Sequence, residues 1–395
     1  MTVTIVNPYA GGHYGQYLDA LLRGWTLHRR PGDRLHVVAG PRVASEHPEV
    51  AALAVDVGAA WTEIETDLQP MRSRAAVEWH MARLLHTAVP ATRPDRILIT
   101  YLDHALVAAT AVSACAPVSG ILFRPSFHYA ALGSRPDGGM RAWLAQTAKR
   151  ELLRLALRRM DRVFTPDETA VEPMRRLSRR GTPVALPEAL DRSVAPRRPA
   201  FLDALDPARR VLLCIGALDS RKGVGVTLDA VARLPRAVQA RVALVLAGQL
   251  ASLERDGFLA TVERLRRETP LHILVEDRYL DEAEIQPTVE AADLVLVPYQ
   301  RHVGSSGILI RAAAAGRPVL ASDYGLVGAH VRRHRLGAAV DAVSPDALAT
   351  AIVEDIGGTG ASARFDAGSA HAFADGNTSE AFAETIFRHL LPDAR

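Results

Sequence analysis

CIGALDSRKGVGVTLDAV, residues 214–231, sets the architecture of its half of the chain. An unbroken apolar run ends at Gly216, a short loop carries Arg221, Lys222 and Gly223, and the residues after Val224 repeat at helical spacing. A buried strand that turns through glycine into an amphipathic helix is the opening of a βαβ unit. Backbone N–H groups at such a helix start, together with a neighbouring Lys or Arg, suit a diphosphate. A solvated Arg-Lys turn with glycine as a cap is the other reading this segment leaves open.

Outward from this point, VALVLAG at Val242, LHILV at Leu271, ADLVLVPY at Ala292 and PVLAS at Pro318 read as further strands separated by helices. In the first half, VTIV at Val3, LHVVA at Leu35, RILIT at Arg96 and VSGILF at Val118 alternate with helical stretches in the same way. Strands that are apolar without polar alternation predict parallel sheets covered on both faces by helices. The 395 residues exceed the roughly 250–300 at which single cores divide, so two doubly wound α/β domains facing an interdomain cleft are expected. The first spans 1–190. A proline-rich linker follows at 191–207 and the second domain at 208–375. The closing stretch 376–395 contains TSEAFAETIFRHLL, an amphipathic helix expected to pack back on the first domain.

Composition narrows the class. Lys and Arg number 47 against 44 Asp and Glu, a net charge of +3 that does not call for nucleic acid. Cys115 and Cys214 are far apart and lack metal-ligand neighbours at useful spacing, so neither a disulfide framework nor a metal site is expected. MTVTIVNPYAGG lacks a basic segment followed by an apolar one, and the apolar stretch 105–123 is interrupted by Ser113, Pro117, Ser119 and Gly120. A soluble cytoplasmic protein is the expectation, and high Arg and Ala usage points to a GC-rich bacterial source. The segment AKRELLRLALRRMDR, 148–162, can be read as a helix touching an anionic membrane or as a packed helix with a solvated basic face. Aromatic residues at 5% favour the second, because interfacial anchors are rich in them.

A second segment able to carry chemistry is VPYQRHVGSSGILIRAAAAGRPVLASDYGLVG, 297–328. Ser305 and Ser306 can cap a helix from about Ile308 that stops at Gly316, leaving N–H groups free for an anion or a hydroxyl, or simply forming a structural cap. Near the start of the chain, Gly11 and Gly12 sit between strand and helix, where missing side chains allow close approach of a ligand or merely a turn. His128 in RPSFHY, and also His13 and His104, can hydrogen-bond a substrate or serve as ordinary structural or surface residues.

Together these segments resemble the large family of retaining GT-B glycosyltransferases, family 4-like, whose members share an Arg/Lys-x-x-x-x-Lys-Gly phosphate loop and a Glu-x7-Glu helix. LDSRKGV, YLDEAEI at Tyr279, AADLVLVPY and AAAAGRPVLASD carry the resemblance across the second domain, and NPYAGGHYGQYL and GILFRPSFHY carry it in outline in the first. The resemblance implies a metal-independent enzyme without a bound cofactor. Such an enzyme moves a hexosyl-type sugar from a nucleotide-sugar donor to a small-molecule or glycan acceptor, with retention, in natural-product or glycan biosynthesis. It implies that Lys222 with Arg221 grips the donor phosphate and that Gly11, Gly12 and Gly216 admit the donor. Arg278, Tyr279 and Leu280 would border the base, while Gly304, Ser305, Ser306, Gly307, Ile308 and Leu309 hold phosphates and sugar. His128 would face the transferred sugar.

The chain departs from the family at three positions. Ala217 stands where the family has its earlier Arg, and Val303 and Arg311 stand at the two acidic positions. Arg311 is open to two roles, pairing with donor phosphate or forming an intramolecular ion pair. The lost carboxylates keep a second class in view, a sugar-nucleotide-binding partner without turnover. A sugar-nucleotide epimerase is the third.

Overall fold

The computed structural model of the chain describes residues 1–11, 14–68, 71, 73–112, 115–125, 127–128, 140–178, 182–253 and 255–391. They form two units: one takes residues up to Asp191 together with the closing residues from Asn377, the other Arg192–Gly376.

Among the described residues the first unit carries β1 (Thr2–Asn7), β2 (Arg34–Ala39), β3 (Ala60–Glu63), β4 (Arg96–Ile99), β5 (Val118–Ile121), β6 (Arg162–Thr165) and β7 (Thr182–Ala185). They pair in parallel in the order β3-β2-β1-β4-β5-β6-β7. Strand alternation sends Val3 and Ile5 of β1 into one core, with Leu18, Leu21 and Trp25 of the helix Tyr14–His28. It sends Val6 into the core on the other face, with Met81 and Leu85 of the helix Arg74–Ala91. The helix Ser379–Leu390 closes the first core, its Phe382 stacking on Tyr17 at 4.8 Å and its Phe387 meeting Trp25 at 5.8 Å.

The second unit carries β8 (Arg210–Ile215), β9 (Val242–Ala247), β10 (His272–Glu276), β11 (Leu294–Val297), β12 (Val319–Ser322) and β13 (Gly337–Val340), all parallel, in the order β10-β9-β8-β11-β12-β13. In each sheet the chain runs outward for three strands and then crosses back to the other side of the first. The order therefore reverses between β1 and β4 and again between β8 and β11, which are the points where open α/β sheets bind ligands.

The stretch 191–207 is bonded to the second unit: Arg197 donates its N–H to the Ala283 carbonyl at 2.8 Å and pairs with Asp281 at 2.5 Å. The basic helix is Met140–Arg159, and the chain re-enters the sheet at Arg162. Its Leu153, Leu157 and Met160 are buried while Arg150, Arg154 and Arg158 face outward, as a packed helix with a solvated basic face requires. Among the described residues no helix is long and apolar enough to cross a membrane.

Candidate functional site

β8 and β11 lie side by side, with Leu212 opposite Leu294 and Leu213 opposite Val295, so the loops that leave them open at the same edge of the sheet. The first loop runs from Gly216 to Lys222. Asp219 caps it by accepting the Lys222 N–H at 2.9 Å, and Gly223 follows with φ 73°. Glycine is required there twice over, for the left-handed backbone and because a Cβ would lie 2.1 Å from the Pro298 carbonyl oxygen of the second loop. The two loops are tied further by the Gln300 N–H, which donates to the Arg221 carbonyl at 2.8 Å.

Lys222 turns toward the second loop. Its ammonium donates to the Tyr299 hydroxyl at 2.5 Å and lies 4.2 Å from the centroid of that ring. A Cβ on Gly216 would come within 3.3 Å of the Lys222 Nζ, so the glycine leaves the ammonium its place at the end of β8. Arg221 is directed elsewhere: half exposed, it faces Asp219 at 3.5 Å. Of the two adjacent cations, only Lys222 is held over the switch point.

The helix after β11 is Gly307–Ala314, capped by the Ser306 hydroxyl, which accepts the Leu309 N–H at 3.4 Å. Among the described residues the N–H groups of Gly307 and Ile308 have no acceptor, and a Cβ on Gly307 would meet nothing within 4 Å. The positive end of this helix thus opens beside the Lys222 ammonium, linked through Tyr299, whose hydroxyl is 3.0 Å from Ser306 Oγ. Ser305 and Gly304 belong to the turn before the cap, where the His302 ring donates to the Ser305 carbonyl at 3.1 Å. Leu309 is fully buried and contributes only its backbone.

Arg311 is buried on the inner face of this helix and forms an ion pair with Glu282 of the neighbouring helix Glu282–Glu290. Its charge is used within the unit. The loop from β10 into that helix holds Arg278, which is bonded to Glu276 at 2.5 Å and to Glu284 at 2.7 Å. The Arg278 guanidinium hydrogen bond holds the Glu284 carboxyl below its usual range. Leu280 is core, whereas Tyr279 projects with 77% of its surface exposed.

The first unit has its own switch point. Tyr9 follows β1, Tyr101 follows β4 and Phe123 follows β5; with Tyr14 they form an aromatic cluster in which Tyr9 lies 5.4 Å from both Tyr14 and Tyr101. Burial pushes the Tyr9 phenol up to about 12. Gly11 is in the turn after β1, where the buried Asn7 donates to the Tyr9 carbonyl at 3.1 Å and His47 donates to the Ala10 carbonyl at 2.9 Å. Gly12 and His13 lie outside the described residues. His104 is exposed at the edge of the cluster, 5.1 Å from Tyr101.

His128 is largely enclosed. Its Nδ1 is 2.8 Å from the Pro125 carbonyl, and its Nε2 is 3.1 Å from both the buried Asp167 carboxylate and the Thr169 hydroxyl. Both ring nitrogens are therefore occupied inside the unit. Sequence reasoning passed over Tyr299, Glu282 and Asp167. Only Tyr299 left a trace, as an aromatic at the end of an apolar strand just before a Gly-Ser turn.

Set beside known proteins, residues 209–356 match the family described as glycosyl transferases group 1. A D-inositol 3-phosphate glycosyltransferase of Segniliparus rotundus is 32% identical over 145 residues, 36% of this chain and 31% of that protein. The chain therefore spans about a third of the length of this curated relative. The structure of Anabaena Alr3699/HepE in complex with UDP and glucose superposes with a TM-score of 0.63 at 18% identity, covering 98% of both chains. Sucrose-phosphate synthase of Thermosynechococcus elongatus superposes with a TM-score of 0.67 at 17% identity, covering 98% of this chain and 97% of its own. The fold is GT-B. Within GT-B, the matched span 209–356 holds both loops of the C-terminal switch point.

Proposed function

We propose that this chain is a retaining, metal-independent GT-B glycosyltransferase that moves a hexosyl-type sugar from a nucleotide-sugar donor to an acceptor hydroxyl. The observation that carries the reading is the placement of the Lys222 ammonium and the open start of the helix Gly307–Ala314 on the two strands that flank the switch point of the C-terminal sheet. The group 1 match across that span supports it. So do the names of similar proteins, one a glycosyltransferase and one bound to UDP and glucose.

In this reading Lys222 and the N–H groups of Gly307 and Ile308 offset the charge that grows on the leaving diphosphate, the task a divalent ion performs elsewhere. Gly216 gives the phosphates room, Ser305 and Ser306 hold the cap, and exposed Tyr279 offers a face to the base. Arg221, turned to Asp219, contributes to the field of the loop without gripping phosphate. His128 anchors its loop through Pro125 and Thr169, and a sugar hydroxyl facing it would displace one of these partners. Gly11, in the turn after β1, admits the donor from the side of the first unit, and the aromatic cluster around Tyr9 serves the acceptor. The protein works in the cytoplasm of a bacterium, in natural-product or glycan assembly. Retention places the acceptor hydroxyl on the face that the nucleotide leaves.

The Arg311–Glu282 pair favours one further reading, a nucleotide-sugar-binding partner without turnover, since Arg311 in this helix and Val303 in the loop before it stand where the resemblance has its two carboxylates. Incubation with UDP-, GDP-, ADP- and dTDP-sugars separates the two. The enzyme releases nucleoside diphosphate slowly even without acceptor, and proton NMR of the glycoside formed on an added acceptor shows the donor's anomeric configuration. An inverted anomer contradicts retention, and binding with no release from any donor leaves the partner reading in place.

A further inference from the structure

We propose that Tyr299 is a positioning residue: it holds the Lys222 ammonium over the switch point and couples it to the cap of the helix Gly307–Ala314. This role rests on the donor-diphosphate reading above. An ammonium only donates hydrogen bonds, so the Tyr299 oxygen, 2.5 Å from Nζ, accepts from Lys222. The phenol proton is then free to be donated to Ser306 Oγ, 3.0 Å away. Ser306 Oγ in turn accepts the Leu309 N–H at 3.4 Å.

A single line of hydrogen bonds thus runs from the loop after β8 to the helix after β11. The ammonium lies 4.2 Å from the ring centroid and 2.5 Å from the hydroxyl, so it sits at the oxygen end of the ring and the hydroxyl is the group that holds it. Tyr299 is only 4% exposed, so the ring is fixed by packing and imposes its geometry on the lysine. A lysine stem is flexible, and ordering it before the ligand arrives removes part of the entropy lost on binding. The benefit falls only on ligands that place phosphate at Lys222.

The test is isothermal titration of the full chain with UDP, GDP, ADP and dTDP and the matching nucleosides. The proteins compared are wild type, Tyr299→Phe, Tyr299→Leu, Lys222→Ala and the Lys222→Ala/Tyr299→Phe double variant. Tyr299→Phe keeps the ring and loses the hydroxyl, and weakens the diphosphate about 3- to 10-fold. Tyr299→Leu loses the hydroxyl together with the packed ring that carries it, and weakens it at least as much. Nucleoside affinity stays as in wild type, and the Phe substitution has no further effect once Lys222 is gone. A merely structural tyrosine weakens nucleoside and diphosphate alike and acts equally in the Lys222→Ala background, and that pattern overturns the proposal. Where nucleosides bind too weakly to titrate, the double-variant comparison decides alone. Wild-type affinity in Tyr299→Phe also overturns it while leaving the donor site intact. A wild-type chain that binds none of the four diphosphates removes both readings together.

Discussion

Arg311 stands at a helix position where the resemblance calls for a carboxylate, and its burial makes the partner it has found matter. The opposing charge comes from Glu282 on the adjacent helix, so acid and base have effectively been placed on different elements. Removing one member of a buried pair strands the other; Glu282 is 29% exposed, which moderates the penalty. Arg311→Glu should lower stability by about 2–4 kcal/mol in urea unfolding, and adding Glu282→Arg should recover more than half of it. Equal loss in the single and double variants would show that the pair is incidental. At this scale the chain was partly legible. Lys222 and Ser306 could be placed from their neighbours because strand, glycine and helix start are consecutive in sequence. Tyr299 and Glu282 could not be, because what defines them is contact across loops.

The element that carries Glu284 shows the same division. The helix Glu282–Glu290 begins with a capping box, Asp281 and Glu284 satisfying each other's backbone N–H groups, and Arg278 and Arg197 surround the Glu284 carboxylate. Its carboxyl is held below the usual range by the Arg278 hydrogen bond, so its contribution to stability is present above the ordinary carboxylate pKa and is lost as pH falls through the lowered one. Glu284→Gln should therefore lower Tm at pH 7 and converge on wild type in acid; a pH-independent difference would contradict this. Strands such as β4, β8 and β9 were plain in the sequence as unbroken apolar runs. β3, with AWTE, β7, with TPVA containing a proline, and β13, with GAAV, were missed because short edge strands carry little apolar signal, and the interior β6, RVFT, was missed because it follows the basic helix so closely that Arg162 was read as helical.

At the scale of the molecule, the first unit is completed by residues from the far end of the chain. Tyr17 is sandwiched by Phe123 at 5.5 Å and Phe382 at 4.8 Å, and Gly24 lets the helix Ser379–Leu390 approach so closely that a Cβ would lie 2.3 Å from that of Ala383. Phe382→Ala should cost the first unit about 3–5 kcal/mol, seen as an earlier calorimetric transition, with the second unit's transition unmoved. A shift of both transitions would mean that the two units do not unfold independently. The doubly wound order 3-2-1-4 of both sheets follows from alternating strands and helices, which is why the architecture was readable from pattern, whereas donor and acceptor identity are set by side chains that no periodicity marks. The central claim is that the C-terminal switch point binds a nucleoside diphosphate through Lys222. Thermal unfolding with saturating UDP, GDP, ADP and dTDP, on wild type and Lys222→Ala, tests it most directly. At about 100 times the dissociation constant a ligand adds about 2.7 kcal/mol, a visible rise in midpoint. The account predicts such a rise for at least one nucleotide, largely lost in Lys222→Ala; an equal rise in both proteins, or none with any nucleotide, would contradict it.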